Sequence, residues 1–210
     1  MSTPAILHLQ TCEPRLAEWI ERLGVVQVPG RGLGDPYRAL LESIAHQQLA
    51  GSAARAIWGR VLALFEDGIP LAERLVELSD EHLRGAGLSR SKVLAMKDLS
   101  AKALAGLVPD VKRIKKMSDV EIYEQLTAVR GVGPWTVDML MIFTLRRPDV
   151  MPATDYGIQK GFQLLYRKRV MPTPKQLLKS TEKWSPHRST AALYLWGIAD
   201  SAKKPKSLTK

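Results

Sequence analysis

Residues 126–161 read LTAVRGVGPWTVDMLMIFTLRRPDVMPATDYGIQKG, and this stretch decides the fold. A helical pattern leads into the turn RGVG at 130–133. A second apolar helix is predicted from Pro134, because the missing N–H of proline would be unpaired in a first helical turn anyway. Two glycines allow backbone angles closed to other residues and let another backbone approach closely. The N–H groups at the start of the second helix favour an anion, such as a phosphate of DNA.

An isolated carboxylate, Asp155, follows the turn in the sequence ATDY at 153–156. Aspartate is common at the first position of a helix, where its side chain accepts a hydrogen bond from the backbone. A fixed carboxylate can also stabilise positive charge that develops in a transition state. Residue chemistry alone leaves both interpretations of Asp155 open and favours the cap.

Composition limits the class of protein. The 210 residues can bury a core and fit one domain or two small lobes, and no apolar run approaches the roughly 20 residues needed to cross a bilayer. The single cysteine, Cys12, excludes an internal disulfide and indicates a reducing compartment. It also excludes a four-cysteine iron–sulfur site, and zinc is not expected without a Cys/His cluster.

The charge of the chain is strongly and unevenly basic. Lys and Arg number 31 against 21 Asp and Glu, which gives a net charge of +10. Residues 167–210 contain eleven Lys or Arg but only two acidic residues, Glu182 and Asp200. A one-sided basic excess favours a polyanionic partner.

Helical spacing of apolar residues continues along the chain. Helices are predicted over 14–23, 37–46, 53–65, 71–78, 80–86 and 91–107. Ser118 and Glu121 fit a capping box, while Thr173-Pro174 and Ser185-Pro186 each fit an N-cap followed by proline. KRIKK at 112–116 is interpreted as a solvated basic connector. Since no segment alternates like a strand, the predicted fold class is all-α, with two helical lobes flanking a cleft.

Four ordered blocks of sequence resemble one family. Residues 126–161 are similar to the helix-hairpin-helix, Gly/Pro-rich loop and aspartate of the helix-hairpin-helix DNA glycosylase superfamily. Three further blocks resemble the 3-methyladenine DNA glycosylase II (alkylpurine glycosylase) branch of that superfamily. They are HQQL at 46–49, GLSRSK at 87–92 and WSPHRS at 184–189 with Trp196. The resemblance covers about 36–199. Larger relatives carry an N-terminal β-domain for which there is no room here, so a compact version is expected.

The resemblance implies a domain organisation and an activity. Residues 1–34 are expected to pack on the helical core, 35–200 to form the glycosylase domain, and 201–210 to be a basic, disordered tail. The implied activity is flipping and hydrolytic excision of alkylated purines, with Asp155 as the catalytic carboxylate. Related enzymes that also nick the backbone have a lysine where this chain has Trp135, so no lyase activity is expected.

The resemblance also implies the remaining site residues. The base pocket is expected to be lined by Trp135, Trp196, Tyr37 and Met139, although either tryptophan is equally compatible with simple packing. Gln48 or Leu49 is expected to enter the duplex where the base leaves, and the choice between them stays open. Phosphate binding is assigned mostly to backbone N–H groups of Gly131, Val132, Gly133 and Thr136. Backbone carbonyls of Thr127, Val129 and Val132 match those that bind a monovalent cation, Na⁺ or K⁺, in relatives.

The expected partner is double-stranded DNA containing alkylated bases, and the protein is expected to act as a monomer, without a membrane and without a required cofactor. The expected location is the cytoplasm or nucleoid of a prokaryote or the nucleus of a eukaryote. The alternative is a non-catalytic DNA-binding protein that senses damage, because such hairpins also bind DNA in non-enzymes. A helix-turn-helix regulator is disfavoured, since residues 135–145 are mostly apolar rather than suited to base edges.

Overall fold

The computed structural model describes residues 3–28, 34–49 and 51–202. Over these ranges the chain is helical and contains no strand, which confirms the all-α class. The helices are α1 (Thr3–Cys12), α2 (Pro14–Leu23), α3 (Pro36–His46), α4 (Gly51–Leu62), α5 (Ala72–Glu77), α6 (Asp80–Gly85), α7 (Arg90–Leu104), α8 (Val111–Ile114), α9 (Asp119–Thr127), α10 (Pro134–Met139), α11 (Tyr156–Leu165), α12 (Pro174–Ser180) and α13 (Arg188–Ser201). A π-helical turn spans Leu140–Thr144 and a 3₁₀ turn spans Glu182–Trp184. Of the predicted tail 201–210, Ser201 still belongs to α13, and residues 203–210 lie outside the described residues.

The described residues divide into two compact units. The terminal unit contains residues 3–28 and 141–202, and the central unit contains residues 34–49 and 51–140. Helices α1 and α2 therefore belong to the same unit as α11, α12 and α13. The terminal unit is built from both ends of the chain, and the predicted division at residue 34 stays a prediction.

Helix starts follow local capping chemistry where the capping residues are close in sequence. Ser118 and Glu121 form the predicted capping box of α9, and Thr173 and Gln176 form another on α12. The prediction of a helix start at Ser185-Pro186 is wrong, since α13 begins at Arg188. The Ser185 hydroxyl instead donates to Asp149 Oδ2 at 2.8 Å. Helix α1, which the sequence pattern did not predict, precedes α2.

The core of the terminal unit packs α1 and α2 against α11 and α13. Leu9, Leu16 and Ile20 share an apolar cluster with Phe162 and Trp184. At Gly161 the backbones of α11 and α13 are so close that an added Cβ would lie 2.0 Å from the carbonyl oxygen of Leu195. These two helices, in contact along much of their length, place Asp155 and Trp196 in one unit.

The central unit contains the hairpin, α9–turn–α10, packed with α3 and α7. Leu126, Val129 and Val132 are buried beneath the turn. The predicted basic connector at 112–116 is only partly solvated, because α8 passes through it and Ile114 is fully buried. The hairpin therefore contributes apolar side chains of its own to the core of the central unit.

Candidate active site and nucleic-acid interface

The two glycines of the hairpin turn have different conformations. Gly131 has φ +75°, in the left-handed region that favours glycine, and an added Cβ would lie 2.9 Å from the Cβ of Ala95. Gly133 has φ −96°, and no heavy atom lies within 4 Å of an added Cβ. Gly131 is therefore required by the fold, whereas the conformation of Gly133 is open to other residues.

Asp98 on α7 holds the hairpin turn in place through hydrogen bonds. Its Oδ2 accepts hydrogen bonds from the backbone N–H of Arg130 and from Lys102 Nζ, both at 2.7 Å. Lys102 Nζ also donates to the carbonyl of Ala128 at 2.7 Å. Burial would raise the pKa of Asp98, but the hydrogen bonds from Lys102 and Arg130 outweigh it and lower the pKa below its ordinary value. This ionised carboxylate therefore fixes the backbone at Arg130, where the turn begins.

Two of the predicted phosphate-binding amides are used within the hairpin. The N–H of Val132 donates to the carbonyl of Val129 at 3.1 Å, and the N–H of Thr136 donates to the carbonyl of Gly133 at 2.9 Å. Val132 and Thr136 are also buried. Phosphate binding by Val132 and Thr136 stays a prediction, and in this structure both amides are bonded within the hairpin. Among the described residues, the N–H groups of Gly131 and Gly133 have no protein acceptor.

Gln47 joins the loop after α3 to the hairpin through hydrogen bonds. Its Nε2 donates to the carbonyl of Gly131 at 2.9 Å and to Thr136 Oγ1 at 3.2 Å. The next residue, Gln48, has φ +57° and is exposed, and Leu49 is 38% exposed. The structure thus assigns Gln47 an anchoring role and leaves Gln48 and Leu49 as the two candidates to enter a duplex.

The three predicted pocket residues of the central unit lie on α3 and α10. Trp135, in the first turn of α10, is 37% exposed, which disfavours a purely packing role. Met139 is half-buried at the end of the same helix. Tyr37 is half-buried, and its hydroxyl lies 2.7 Å from Ser100 Oγ. Burial raises the pKa of Tyr37 to about 12, so this phenol is neutral at ordinary pH.

Asp155 and Trp196 contact each other directly. Asp155 is the N-cap of α11, and its Oδ1 accepts from the N–H of Ile158 at 2.9 Å. The same oxygen accepts from the indole Nε1 of Trp196 at 2.8 Å. The helix cap considered from the sequence is therefore present, and the aromatic expected near the aspartate is also there. Both N–H groups donate to the same carboxylate oxygen, which fixes the orientation of the carboxyl group.

The loop that leads to Asp155 is fastened to the start of α13. Arg188 makes a two-pronged ion pair with Asp149, with Nε–Oδ1 and Nη2–Oδ2 both 2.8 Å. Burial would raise the pKa of Asp149, but the hydrogen bonds from Arg188 and Ser185 lower it. Ser189 Oγ accepts from the N–H of Val150 at 2.9 Å. Since α13 also provides Trp196, one helix fixes both the loop and the indole beside the carboxylate.

Sequence reasoning missed five residues that shape these sites. Gln47, Asp98, Asp149, Phe143 and Gly157 were not assigned individual roles, because their partners are distant in the sequence. The ring of Phe143, in the π-helical turn, stacks on Trp196 with centroids 5.5 Å apart. π-Helical turns are frequent at functional sites, but this turn is visible only in the folded chain.

The predicted cation site lies where α9 ends. Thr127 is the last residue of that helix, and carbonyls at a helix C-terminus favour a cation. The carbonyl of Val129 accepts the hydrogen bond from Val132 but has a second lone pair. Among the described residues there is no group of three or more His, Cys, Asp or Glu side chains that could bind a metal ion. Cation binding by Thr127, Val129 and Val132 stays a prediction.

Known proteins are similar to this chain in sequence and in fold. The model of the HhH-GPD superfamily base excision DNA repair protein matches residues 41–187. The chain is 35% identical over 197 residues to DNA-3-methyladenine glycosylase 1 of Schizosaccharomyces pombe, covering 92% of this chain and 86% of that protein. The chain belongs to the HhH-GPD superfamily of base excision DNA repair proteins, which confirms the resemblance found in the sequence.

Solved structures agree with this assignment. The Schizosaccharomyces pombe 3-methyladenine DNA glycosylase in complex with abasic DNA has a TM-score of 0.89 and 34% identity, covering 97% of this chain and 100% of that chain. The DNA-3-methyladenine glycosidase of Bacillus halodurans has a TM-score of 0.85 and 34% identity, covering 96% of this chain and 92% of that chain. In the ranges that the structure describes, no helix has the length and hydropathy of a membrane span.

Proposed function

We propose that the protein is a monofunctional DNA glycosylase that excises alkylated purines of the 3-methyladenine type and so initiates base excision repair. The observation that carries the proposal is the carboxylate of Asp155, which two N–H donors fix at the start of α11 beside the indole of Trp196. Membership of the superfamily and the named relatives support the same activity.

The proposed reaction needs one negative charge rather than a pair of acids. When the bond between C1′ and the purine nitrogen breaks, its electrons leave with the base and positive charge builds on the sugar. Asp155 stabilises that charge, and the oxygen of a water molecule then bonds to C1′ while its proton passes to solvent. A purine alkylated on a ring nitrogen carries a positive charge and departs neutral, so no acid has to protonate it.

The two units contribute different parts of this function. In the central unit, the amides of Gly131 and Gly133 bind the DNA backbone, and Gln48 or Leu49 enters the duplex. Trp135, Tyr37 and Met139 are proposed to contact the flipped base, as is Trp196 of the terminal unit. An electron-rich indole attracts a cationic base through a cation–π interaction, worth on the order of 1–2 kcal/mol when desolvated. A Na⁺ or K⁺ ion at the hairpin and a monomeric state belong to the same proposal.

The absence of an amine at Trp135 supports hydrolysis without strand cleavage. Enzymes that nick the backbone form a Schiff base between a lysine and the sugar. Lys160 on α11 is close to Asp155 in sequence. Its Nζ donates a hydrogen bond to Gln163 Oε1 at 2.9 Å. The proposal therefore predicts an abasic product and no covalent intermediate.

The test is product analysis with methylated duplex DNA. The protein is expected to release free 3-methyladenine, to leave abasic sites that alkali cleaves, and to yield no adduct when borohydride is present. Efficient borohydride trapping would contradict the monofunctional mechanism. Tight binding to the same DNA without release of any base would support the alternative, a non-catalytic sensor. A panel with 7-methylguanine, ethenoadenine and hypoxanthine then defines the accepted lesions.

A further inference from the structure

The indole of Trp196 donates a hydrogen bond to the carboxylate that the proposed reaction uses. Its Nε1 lies 2.8 Å from Asp155 Oδ1, and the bond spans 41 positions of sequence. The N–H of Ile158 donates to the same oxygen, but that bond belongs to the helix cap and forms with α11 itself. Trp196 thus makes a tertiary contact that orients the carboxyl group.

Gly157 provides the space in which this hydrogen bond forms. An added Cβ would lie 2.7 Å from Trp196 Cδ1 and 3.1 Å from both Trp196 Nε1 and Asp155 Oδ1. A methyl group here would touch the donor and the acceptor at once. Gly157 lies inside α11 and does not have a left-handed φ, so alanine there introduces no backbone strain.

The indole has little room to move away from such a methyl group. Phe143 stacks on it with an interplanar angle of 28°. Leu195 and Ile198, also on α13, are fully buried and anchor the helix. Contact with a Cβ at position 157 would therefore turn the ring and lengthen the hydrogen bond to Asp155.

We propose that Trp196 is a positioning residue for Asp155, and that Gly157 is required because it leaves the indole N–H in line with the carboxylate. This inference rests on the proposed function, in which Asp155 stabilises the sugar cation. It adds that Trp196 acts through its N–H in addition to offering a ring face to the base. Small errors of placement are expensive in catalysis, since a shift of about 1 Å can cost on the order of 100-fold in rate.

The first variant is Gly157→Ala, which moves the hydrogen bond without removing any functional group. Single-turnover excision of 3-methyladenine is expected to fall about 10- to 100-fold, while affinity for DNA is unchanged. The matched control is Gly59→Ala on α4, where no heavy atom lies within 4 Å of the added Cβ. Both substitutions raise helix propensity, and only the Gly157 variant should lose activity.

The second variant is Trp196→Phe, which keeps an aromatic face and removes the N–H. Excision is expected to slow by a similar factor, with the loss in kcat and little change in KM. A residue that only stacks on the base would instead change KM and leave kcat near the wild-type value.

The outcomes separate this inference from the proposed function. If Asp155→Asn retains full excision, the proposed function fails. If Asp155→Asn is inactive but a folded Gly157→Ala variant excises at the wild-type rate, only the positioning role is overturned. Should Gly157→Ala fail to fold, Trp196→Phe decides alone: a lower kcat with an unchanged KM supports the inference, and a wild-type kcat overturns it.

Discussion

Replacing Gly131 by alanine is expected to destabilise the hairpin for two separable reasons. A non-glycine residue at φ +75° costs roughly 1–2 kcal/mol because its Cβ approaches the following carbonyl. The new methyl group would also lie 2.9 Å from the Cβ of Ala95, and such overpacking costs roughly 1–3 kcal/mol. The variant should therefore lose about 2–5 kcal/mol of unfolding free energy in the central unit.

Urea denaturation followed by far-ultraviolet circular dichroism measures this loss, and fluorescence anisotropy with a duplex containing an abasic analogue measures binding. Gly133→Ala is the matched control in the same turn. Its φ of −96° suits alanine and its Cβ site is empty, so its stability should stay within about 0.5 kcal/mol of wild type. Its affinity for DNA should nevertheless fall, because the methyl group would stand beside an amide that binds phosphate.

A double variant separates the two causes. Combining Gly131→Ala with Ala95→Gly removes the overlap but keeps the left-handed φ, so it should recover only the overpacking part. The added glycine on α7 itself costs about 1 kcal/mol, which the single variant Ala95→Gly measures. Equal stability of Gly131→Ala and Gly133→Ala would refute the reasoning that the two glycines have different roles.

Two further predictions concern stability. The pKa of Asp98 is lowered by its bonds to Lys102 and Arg130, so its contribution is complete above the ordinary carboxyl pKa of about 3.9 and is lost as pH falls through the lower folded value. Unfolding free energy measured between pH 5 and pH 2 should therefore fall less steeply in Asp98→Asn than in wild type, and equal slopes would exclude this contribution. Gly161→Ala would place a Cβ 2.0 Å from the carbonyl oxygen of Leu195, so it should cost about 3 kcal/mol or more in a thermal melt, and wild-type stability would contradict the close approach of α11 and α13.

The parts of the fold predicted from sequence are those specified by near neighbours. The capping box at Ser118 and the N-cap at Thr173 were readable because the capping side chain and the backbone N–H that it accepts from are three residues apart. Ser185-Pro186 carries a similar local signal, but the hydroxyl of Ser185 bonds to Asp149, 36 positions away. A local pattern predicts a helix start only when no tertiary partner takes the capping group.

Prediction of the site from sequence has the same limit. The sequence predicted Asp155, Trp196 and the glycine turn, because their order resembles a known motif. It did not distinguish Gly131 from Gly133, since handedness of a turn and the nearness of Ala95 are properties of the folded chain. It also gave Gln47 no role, because its acceptor at Gly131 lies 84 positions further on.

The central claim is that the carboxylate of Asp155 stabilises the sugar while the base departs. The most direct measurement is release of free 3-methyladenine from methylated duplex DNA by wild type and Asp155→Asn, with binding to an abasic-analogue duplex measured alongside. The account predicts that the variant binds this duplex and releases no base above the uncatalysed rate. Release by Asp155→Asn at the wild-type rate would contradict it.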